Sequence, residues 1–392
     1  MESVRAFLVR HGDAVAPRLM GTARELRDTV VEYLARDERR AQLVSEPWFI
    51  DRLAMTESRV EANGWAFPPP PGVPRPHAAF TLNGEPFDEC TIDVRRPDIG
   101  HAYWQRLGAK QSGFTLVSHI GMDERFRDGY MEIRYWNSPT SLPHGLQHDW
   151  FCADPRSELP LPDAKQRFRV LGNEDDLGFR LSGATDFKRI ARAIHAVTGA
   201  RFEDFGHVLD WGSGCGRIAR YAAPACGGEL VGCDIDAENV EWCNAHLPGT
   251  YVATTMNSPL PFPDGHFDLV YGVSVFTHFG PHLQDLWLAE LRRVVRPGGL
   301  VLVTTHGRTA IDYGDLRPHA FIAIGKAVEA NGIHIAGKNE QLDGAVKDAD
   351  EYVNVFHSAA YIRAHWAKWF RILEIIPGYI YTHDLVVLER AA

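Results

Sequence analysis

One short stretch of the chain combines an acid, three closely spaced glycines and, further along, a second acid. Residues 208–217 read Val-Leu-Asp-Trp-Gly-Ser-Gly-Cys-Gly-Arg, an apolar strand that leads through Asp210 into a glycine loop. A second apolar strand, 230–233, ends at Asp234. Glycines leave room for a ligand beside the backbone, and a carboxylate after the second strand can accept hydrogen bonds from a ribose diol. The pattern predicts a nucleotide-type cofactor site at the carboxyl edge of a parallel sheet.

The spacing of the glycines distinguishes between candidate cofactors. Gly212, Gly214 and Gly216 form G-x-G-x-G, whereas dinucleotide sites have G-x-G-x-x-G, and the sixth position here is Arg217. The lysine of a phosphate-binding P-loop is also absent. Asp210, directly before the loop, would repel a pyrophosphate but can face a cationic amine. A cofactor with a ribose, an ammonium group and no phosphates fits both acids, and S-adenosylmethionine is such a molecule.

Two further motifs and a strand follow in order along the chain. Residues 260–268 read Leu-Pro-Phe-Pro-Asp-Gly-His-Phe-Asp, 291–299 read Leu-Arg-Arg-Val-Val-Arg-Pro-Gly-Gly, and 300–305 form an apolar strand. Together with the glycine loop they resemble class I S-adenosylmethionine-dependent methyltransferases, from about Leu181 to the C-terminus. The resemblance implies an α/β fold with a Rossmann-like, mostly parallel seven-stranded sheet and helices on both faces. It also implies methyl transfer by in-line displacement.

The same resemblance assigns residues to the cofactor. Asp210 is expected near the amino end of S-adenosylmethionine and Asp234 on its ribose. Many members carry Asp where Met256 stands, so Asn257 is expected to supply the hydrogen bond to adenine. The full set of expected cofactor contacts is Asp210, Gly212, Ser213, Gly214, Gly216, Asp234, Ile235, Met256, Asn257, Val273 and Ser274.

Histidines supply the candidate bases. A hydroxyl acceptor must lose a proton when it is methylated, which calls for a base or a metal ion. His278 follows the predicted fourth strand and His306 the fifth, at the edge where acceptors approach in this fold. These two are the predicted catalytic residues, with a supporting or core role as the alternative. Two more histidines are further candidates, His357 and His383.

A metal site is not predicted. His144, His148 and Asp149 have a spacing that could bind a cation if the segment were helical. Pro143 and Gly145 favour a loop instead.

The N-terminal part has a different sequence pattern from the predicted cofactor domain. A capping box at Thr22 and Glu25 precedes a predicted helix over 23–43. Short apolar runs around the turn Asn83-Gly84 then predict a β-rich, sandwich-like module. It is loosely similar to a module beside glycosyltransferase and methyltransferase domains of surface-glycan pathways. The predicted domains are a helical segment 1–58, a β-rich module 59–150 and a methyltransferase domain 151–392, with 139–162 as a linker and an insertion at about 311–351 that holds one helix.

Composition limits the partners. With 392 residues, 45% of them hydrophobic, the chain can build more than one packed domain, and its net charge of −10 does not favour a nucleic-acid surface. No apolar run reaches the ~18 residues of a membrane span, and six cysteines without a C-x-x-C pair favour a reduced, cytoplasmic protein.

The predicted function is methyl transfer to a hydroxyl of a sugar or glycan precursor. The alternatives are N- or O-methylation of a secondary metabolite, or a cofactor-binding scaffold without turnover. A small-molecule or glycan substrate is the expected partner, and homo-oligomerisation stays open.

Overall fold

The computed structural model describes residues 48–69, 79–104, 106, 108–136, 149–257, 259–314, 316–339 and 351–391. The predicted helix over 23–43 and the pair His144 and His148 lie outside these residues. The strands within them are β1 (Trp48–Met55), β2 (Val60–Ala66), β3 (Phe80–Leu82), β4 (Glu85–Pro86), β5 (Glu89–Val94), β6 (Gly113–Ser118), β7 (Tyr130–Tyr135), β8 (Trp150–Ala153), β9 (His207–Trp211), β10 (Glu229–Asp234), β11 (Thr250–Ala253), β12 (Phe267–Gly272), β13 (Val295–Thr305), β14 (Ile333–Lys338), β15 (Val353–His357), β16 (Arg371–Ile380) and β17 (His383–Glu389).

Helices connect most of these strands in the second half of the chain. The α-helices of the described residues are α1 (Pro97–Ala102), α2 (Met122–Arg125), α3 (Ala164–Leu171), α4 (Asp176–Thr198), α5 (Ala219–Ala222), α6 (Ala237–His246), α7 (Pro281–Val294), α8 (Arg308–Tyr313), α9 (Pro318–Asn331) and α10 (Ala359–Trp366). None of them combines the length and apolar character that crossing a membrane requires.

A seven-stranded sheet forms the centre of the molecule, in the order β11-β10-β9-β12-β13-β17-β16. The first five strands are parallel, and β17 runs antiparallel to both of its neighbours. The central strands are apolar along most of their length because both faces of the sheet are covered. The predicted mostly parallel sheet is therefore confirmed. Its strand order reverses between β9 and β12, where ligands of open α/β sheets bind at the carboxyl ends.

Helices cover both faces of this sheet. On one face, Ile190 of α4, Ala219 of α5 and Val240 of α6 share a core with alternate strand residues. On the other face, Leu288 of α7 and Ile362 of α10 share a second core. Both faces of the sheet are thus covered by helices, and the loops that follow the parallel strands lie at its carboxyl edge.

The N-terminal part consists of two antiparallel four-stranded sheets, ordered β1-β2-β6-β5 and β4-β3-β7-β8. Trp48 and Leu116 from the first sheet and Phe80 and Trp150 from the second are buried in one common core. The predicted hairpin turn joins β3 to β4, and both Asn83 and Gly84 have positive φ, as a two-residue hairpin loop requires.

Two sequence expectations differ from this arrangement. Trp48–Met55 lies in the segment predicted to be helical, yet it forms β1 and pairs with β2. Trp150–Ala153 lies in the predicted linker, yet it forms β8 and pairs with β7. Both are short apolar runs beside polar or proline-rich stretches, and only pairing with distant strands makes them regular. The predicted domain boundaries themselves stay a prediction.

Helix α4 joins the N-terminal sheets to the central sheet. Its Thr185 hydroxyl accepts a hydrogen bond of 2.9 Å from the Phe151 N–H of β8. Its Arg189 donates to the Asp149 carbonyl at 3.0 Å and to the Tyr379 carbonyl of β16 at 3.3 Å. A single helix therefore fixes the position of both parts.

The insertion after β13 returns to the sheet edge. Its helix α9 matches the predicted helix and ends at Gly332, which has a φ of 78°. Strands β14 and β15 then pair as an antiparallel ribbon. The His357 N–H donates to the His306 carbonyl at 2.7 Å, so β15 is anchored beside the end of β13.

Candidate cofactor and acceptor site

The glycine loop after β9 has a backbone that side chains would disturb. Gly212, Gly214 and Gly216 have φ values of 76°, 53° and 74°, in the left-handed region. A Cβ on Gly212 would lie 2.5 Å from Val275, and one on Gly214 would lie 2.7 Å from Val170. The loop therefore needs glycine for both conformation and space.

Asp234 closes the loop from the end of β10. One of its carboxylate oxygens accepts the Gly214 N–H at 2.7 Å, and the other accepts the Asp236 N–H at 2.8 Å. Burial raises its pKa to about 6, although these two hydrogen bonds act to lower the pKa. Each oxygen keeps a further acceptor site, so the carboxylate can hold the loop and also receive a diol.

Asp210 is buried at the end of β9, with 2% of its surface exposed. Burial raises its pKa to about 7, and the Tyr271 hydroxyl and the Arg217 charge act against this rise. Its Oδ2 atom has no hydrogen bond of normal geometry from any described residue. A cation brought beside it would hold the carboxylate in its ionised form.

Arg217 occupies the position at which a dinucleotide motif has its third glycine, and it has a structural role there. Its guanidinium forms a buried ion pair with Asp186 of α4, with a separation of 2.6 Å between the nitrogen and oxygen. The pair ties the segment after the glycine loop to the helix that spans both parts of the molecule. The residue is therefore a structural anchor that also lines the cavity.

One cavity at the switch point collects most of the predicted cofactor residues. Those that line it are Asp210, Gly212, Ser213, Gly214, Asp234, Ile235, Met256, Val273 and Ser274. His278 lines it as well. The elements meet here because β9, β10 and β12 end at the same edge of the sheet.

Gly216 and Asn257 do not line this cavity. A Cβ on Gly216 would come within 2.1 Å of Leu247, so this glycine allows the loop to pack closely against the end of α6. The Asn257 amide lies on the surface, 3.5 Å from the Glu351 carboxylate. The structure thus places Asn257 away from the cavity, and its expected contact with adenine stays a prediction.

His278 lies on the wall of the cavity that faces the insertion. It is 5% exposed, and its Nδ1 lies 3.1 Å from the Val353 carbonyl. A carbonyl can only accept, so Nδ1 carries the proton and Nε2 is left as an acceptor. Burial, together with the neighbouring His306, lowers its pKa to about 3. The ring is neutral at physiological pH and does not repel a cation in the cavity.

His306 is near His278 but is not part of the cavity wall. Its ring centroid is 6.2 Å from that of His278 and 4.7 Å from that of His383. Burial and the neighbouring histidines hold its pKa well below the ordinary range. Of the two predicted bases, only His278 therefore borders the cofactor cavity.

Comparison with known proteins identifies the centre of this region. The family described as "Methyltransferase domain" matches residues 209–303. Residues 209–303 are a methyltransferase domain. The match contains the glycine loop, Asp234, Met256 and His278, and the cofactor of this domain is S-adenosylmethionine.

Several curated proteins resemble this methyltransferase domain and its surroundings. A fatty-acid O-methyltransferase of Mycolicibacterium smegmatis is 32% identical over 37% of this chain and 54% of its own length. A ubiquinone/menaquinone biosynthesis C-methyltransferase of Cupriavidus necator is 38% identical over 25% of this chain and 42% of its own. The chain thus spans about half the length of these relatives.

Longer or structural matches are more distant. A probable fatty acid methyltransferase of Pseudomonas putida is 24% identical over 62% of this chain and 67% of its own length. A solved S-adenosylmethionine-dependent methyltransferase from Methanosarcina mazei covers 48% of this chain and 93% of its own, with 17% identity and a TM-score of 0.37.

The residues of the methyltransferase domain fit its cofactor. The free acceptor capacity of Asp210 suits an ammonium group, and that of Asp234 suits a ribose diol. The Ser213 hydroxyl is another buried polar atom without a hydrogen bond to a described residue. These groups all face the same cavity, and they would be satisfied together by one polar, cationic ligand.

Several residues of the cavity were not identified from sequence. Arg169 and Val170 of α3 lie over the glycine loop, and the Arg169 Nε lies 2.8 Å from an Asp236 oxygen. The capping box of α3, Asp163 with Gln166, is a readable signal for a helix. Its docking onto the loop depends on tertiary contacts that sequence spacing does not show.

Tyr352, directly after the predicted insertion, is another residue of the cavity that was not identified from sequence. Its ring stacks on His278 with centroids 4.0 Å apart. Burial and the Asp234 charge both raise the pKa of its hydroxyl. The segment that connects the insertion to β15 therefore contributes one wall of the cavity.

Changing Tyr352 to Ala is expected to weaken the binding of S-adenosylhomocysteine about fivefold to tenfold. The reason is the loss of one aromatic wall, a contact worth about 1 kcal/mol. Isothermal titration calorimetry measures the effect, with Tyr361→Ala on α10 as the control because Tyr361 lies outside the cavity. Equal affinities of the two variants would contradict this role.

Proposed function

We propose that this protein transfers the methyl group of S-adenosylmethionine to an oxygen atom of a small molecule. The observation that carries the proposal is the cavity itself. Two carboxylates and a glycine loop form its one side, and a neutral histidine with an acceptor nitrogen forms the other. The carboxylates suit a cationic donor, and the histidine suits an acceptor that must lose a proton.

Methyl transfer from S-adenosylmethionine requires the donor and the acceptor to be aligned, more than it requires either of them to be activated. When bound, the donor supplies a methyl group that is already reactive, since it sits on a positively charged sulfur. The glycine loop and Asp234 would fix the donor, and Asp210 would hold its ammonium group. His278 would accept the hydroxyl proton at Nε2 during transfer. The apolar wall, which includes Phe279 and Trp287, would exclude water from the reacting atoms.

The charge balance favours a neutral histidine in this position. Before transfer the cavity would hold the positive sulfur, and after transfer it would hold a neutral thioether and a protonated His278. The positive charge moves by a few ångströms and no new charge is created. A buried imidazole with a pKa of about 3 can therefore serve as the acceptor of this proton.

Two acceptor classes are proposed. The first is a hydroxyl of a sugar or glycan precursor, which rests on the loose similarity of the N-terminal module. The second is the carboxyl oxygen of a fatty acid, which rests on the relatives in Mycolicibacterium smegmatis and Pseudomonas putida. Methylation of a secondary metabolite, and a scaffold without turnover, stay as alternatives.

The test is transfer of a labelled methyl group. The protein is incubated with labelled S-adenosylmethionine and, separately, a sugar nucleotide, a long-chain fatty acid and a hydroquinone. Labelled product from an oxygen acceptor supports the proposal. Donor binding without product from any acceptor would support the scaffold instead.

The affinity for the donor is expected to depend on pH. In the free protein the pKa of Asp210 is raised to about 7, so its carboxyl is increasingly protonated as the pH falls below 7. A cationic donor favours the ionised form, and binding must then release a proton. The dissociation constant of S-adenosylmethionine, measured by calorimetry, is expected to rise at least tenfold from pH 8 to pH 5.5. A dissociation constant that stays level across this range would contradict the role of Asp210.

A further inference from the structure

A second, larger cavity lies where the N-terminal sheets meet helix α4. Its volume is about 1240 Å³, and it shares no lining residue with the cofactor cavity. Asn83 of the hairpin turn, Arg125 of α2 and Tyr130 of β7 line one side, and Lys188 and Arg192 of α4 line the other. It is named here the junction cavity.

The junction cavity is separated from the cofactor site by the length of a strand. Its wall includes Phe202 and Glu203, which come shortly before β9, whereas the glycine loop follows β9. The five residues of β9, at about 3.3 Å each, span roughly 16 Å. A ligand of the junction cavity would therefore not contact the methyl donor, and the proposed function does not account for this cavity.

Lys188 is the residue of this cavity whose position is least explained by protein contacts. It is half-buried, whereas the other lysines that the structure describes are exposed. Its Nζ lies 4.7 Å from the ring centroid of Tyr130 and 5.8 Å from that of Phe151. It forms no ion pair or hydrogen bond with a described residue. Burial, together with the Arg192 charge, lowers its pKa.

The carboxylates around Lys188 do not neutralise it by contact. Glu132 forms ion pairs with two arginines, at 2.6 and 3.0 Å. The other carboxylates of the wall are exposed, namely Glu85, Glu124, Asp128 and Glu203. Arg125 is fully buried, and its guanidinium donates to backbone carbonyls instead of a carboxylate. The inner part of the cavity is therefore positive, and its rim is acidic.

This distribution of charge indicates the chemistry of a ligand. A half-buried ammonium without a counter-ion is stabilised by an anionic group, because the charge-assisted hydrogen bond replaces lost hydration. Carboxylates at the rim only accept hydrogen bonds, so they suit groups that donate, such as hydroxyls. The volume exceeds the ~300–1,000 Å³ usual for pockets that hold small molecules. A ligand with one anionic group and several hydroxyl groups matches both parts of the cavity.

We propose that the junction cavity binds an anionic sugar, a compound that carries a phosphate or a carboxylate together with several hydroxyl groups. Lys188 pairs with the anionic group, and the acidic rim accepts hydrogen bonds from the hydroxyls. This is a second binding site, separate from methyl transfer. The inference does not depend on the proposed function.

Titration calorimetry with simple probes tests the site. The probes are glucose 1-phosphate and glucuronate, with glucose and inorganic phosphate as comparisons. Each anionic sugar is expected to bind at least about tenfold more tightly than either comparison, since only the sugars offer both kinds of group. Saturating S-adenosylhomocysteine is expected to leave these affinities unchanged. Binding of neither anionic sugar would overturn the inference, and so would equal binding of glucose or of inorganic phosphate.

Lys188→Met tests the residue that carries the inference. Methionine keeps an apolar stem over the rings of Tyr130 and Phe151 but removes the charge. The affinity for both anionic sugars is expected to fall about tenfold or more, as the loss of a hydrogen bond to a charged group implies. Lys368→Met is the matched control, because the Lys368 Nζ also lies over an aromatic ring, 5.4 Å from that of Trp369, at an exposed position. Equal affinities of Lys188→Met and the wild type would overturn the inference.

A second variant tests the charge of the cavity without replacing a half-buried group. His195 is an exposed residue of the cavity wall in the last turn of α4. His195→Glu adds a negative charge and is expected to weaken the binding of both anionic sugars several-fold. His246→Glu, at an exposed position in the last turn of α6, is the control. Unchanged affinities in a folded His195→Glu protein would contradict a ligand held by positive charge.

The outcomes separate this inference from the proposed function. Protein that binds S-adenosylhomocysteine but neither anionic sugar overturns the inference alone. Protein that binds the anionic sugars through Lys188 but does not bind S-adenosylhomocysteine supports the inference and overturns the proposed function.

Discussion

Replacing Asp234 with asparagine is expected to weaken the binding of S-adenosylmethionine about 100-fold. The carboxylate already accepts two backbone N–H groups, from Gly214 and Asp236, and it would also receive the ribose diol. An amide in its place presents an NH₂ group to one of these donors and accepts at a single oxygen. Hydrogen bonds to a charged group contribute about 1.5–3 kcal/mol each, and 100-fold corresponds to about 2.7 kcal/mol.

Calorimetric titration with S-adenosylmethionine measures this loss directly. Asp264→Asn is the matched control, because Asp264 is an exposed aspartate that pairs with Arg293 away from the cavity. Its affinity is expected to equal that of the wild type. A folded Asp234→Asn protein with wild-type affinity would show that the ribose contact has been assigned to the wrong residue.

Replacing His278 with phenylalanine is expected to lower kcat at least 100-fold while the dissociation constant of the donor stays within about threefold. A positioned base contributes about 10²–10⁴ in rate. The phenyl ring keeps the stacking against Tyr352 and the apolar wall, so the shape of the cavity is preserved. The lost function is the acceptor nitrogen at Nε2.

The pH profile of the wild type provides an independent check on His278. Its pKa is lowered to about 3, so the ring stays neutral, and able to accept a proton, throughout the range above that value. At saturating donor the transfer rate is expected to be level between pH 5.5 and pH 8. His246→Phe, at an exposed position of α6, serves as the control for histidine replacement. An acid limb near pH 6.5 that disappears in His278→Phe would indicate an exposed, ordinary histidine instead.

Local patterns were sufficient to predict that the glycine loop, Asp210 and Asp234 lie together at one edge of the sheet. The glycine loop, Asp210 and Asp234 lie within about one βαβ unit, where strand, turn and helix follow directly from residue type. The two carboxylates come together because adjacent parallel strands end at the same edge. The mostly parallel sheet follows for the same reason, since its strands are continuous apolar runs.

The remaining parts of the site depend on contacts between distant segments. Tyr352 lies far from the glycine loop in the chain and reaches it only because β15 is anchored beside β13. His306 follows a strand in the position expected of a base, yet it is His278, and not His306, that lines the cavity. The local sequence pattern does not show which of the two histidines will line the cavity.

The same limit applies to Asn257 and to strands β1 and β8. Asn257 occupies the right position along the chain, but its side chain is directed to Glu351 at the surface. Strands β1 and β8 are short apolar runs whose regularity arises from pairing with β2 and β7. Propensity alone does not reveal such strands because their stability comes from the partner strand.

Calorimetric titration of the wild-type protein with S-adenosylmethionine tests the central claim most directly. One molecule is expected to bind per chain, with a dissociation constant between about 1 μM and 1 mM, the usual range for enzyme substrates. A protein that unfolds cooperatively, and so is properly folded, but that releases no heat with this ligand would contradict the assignment of the cavity.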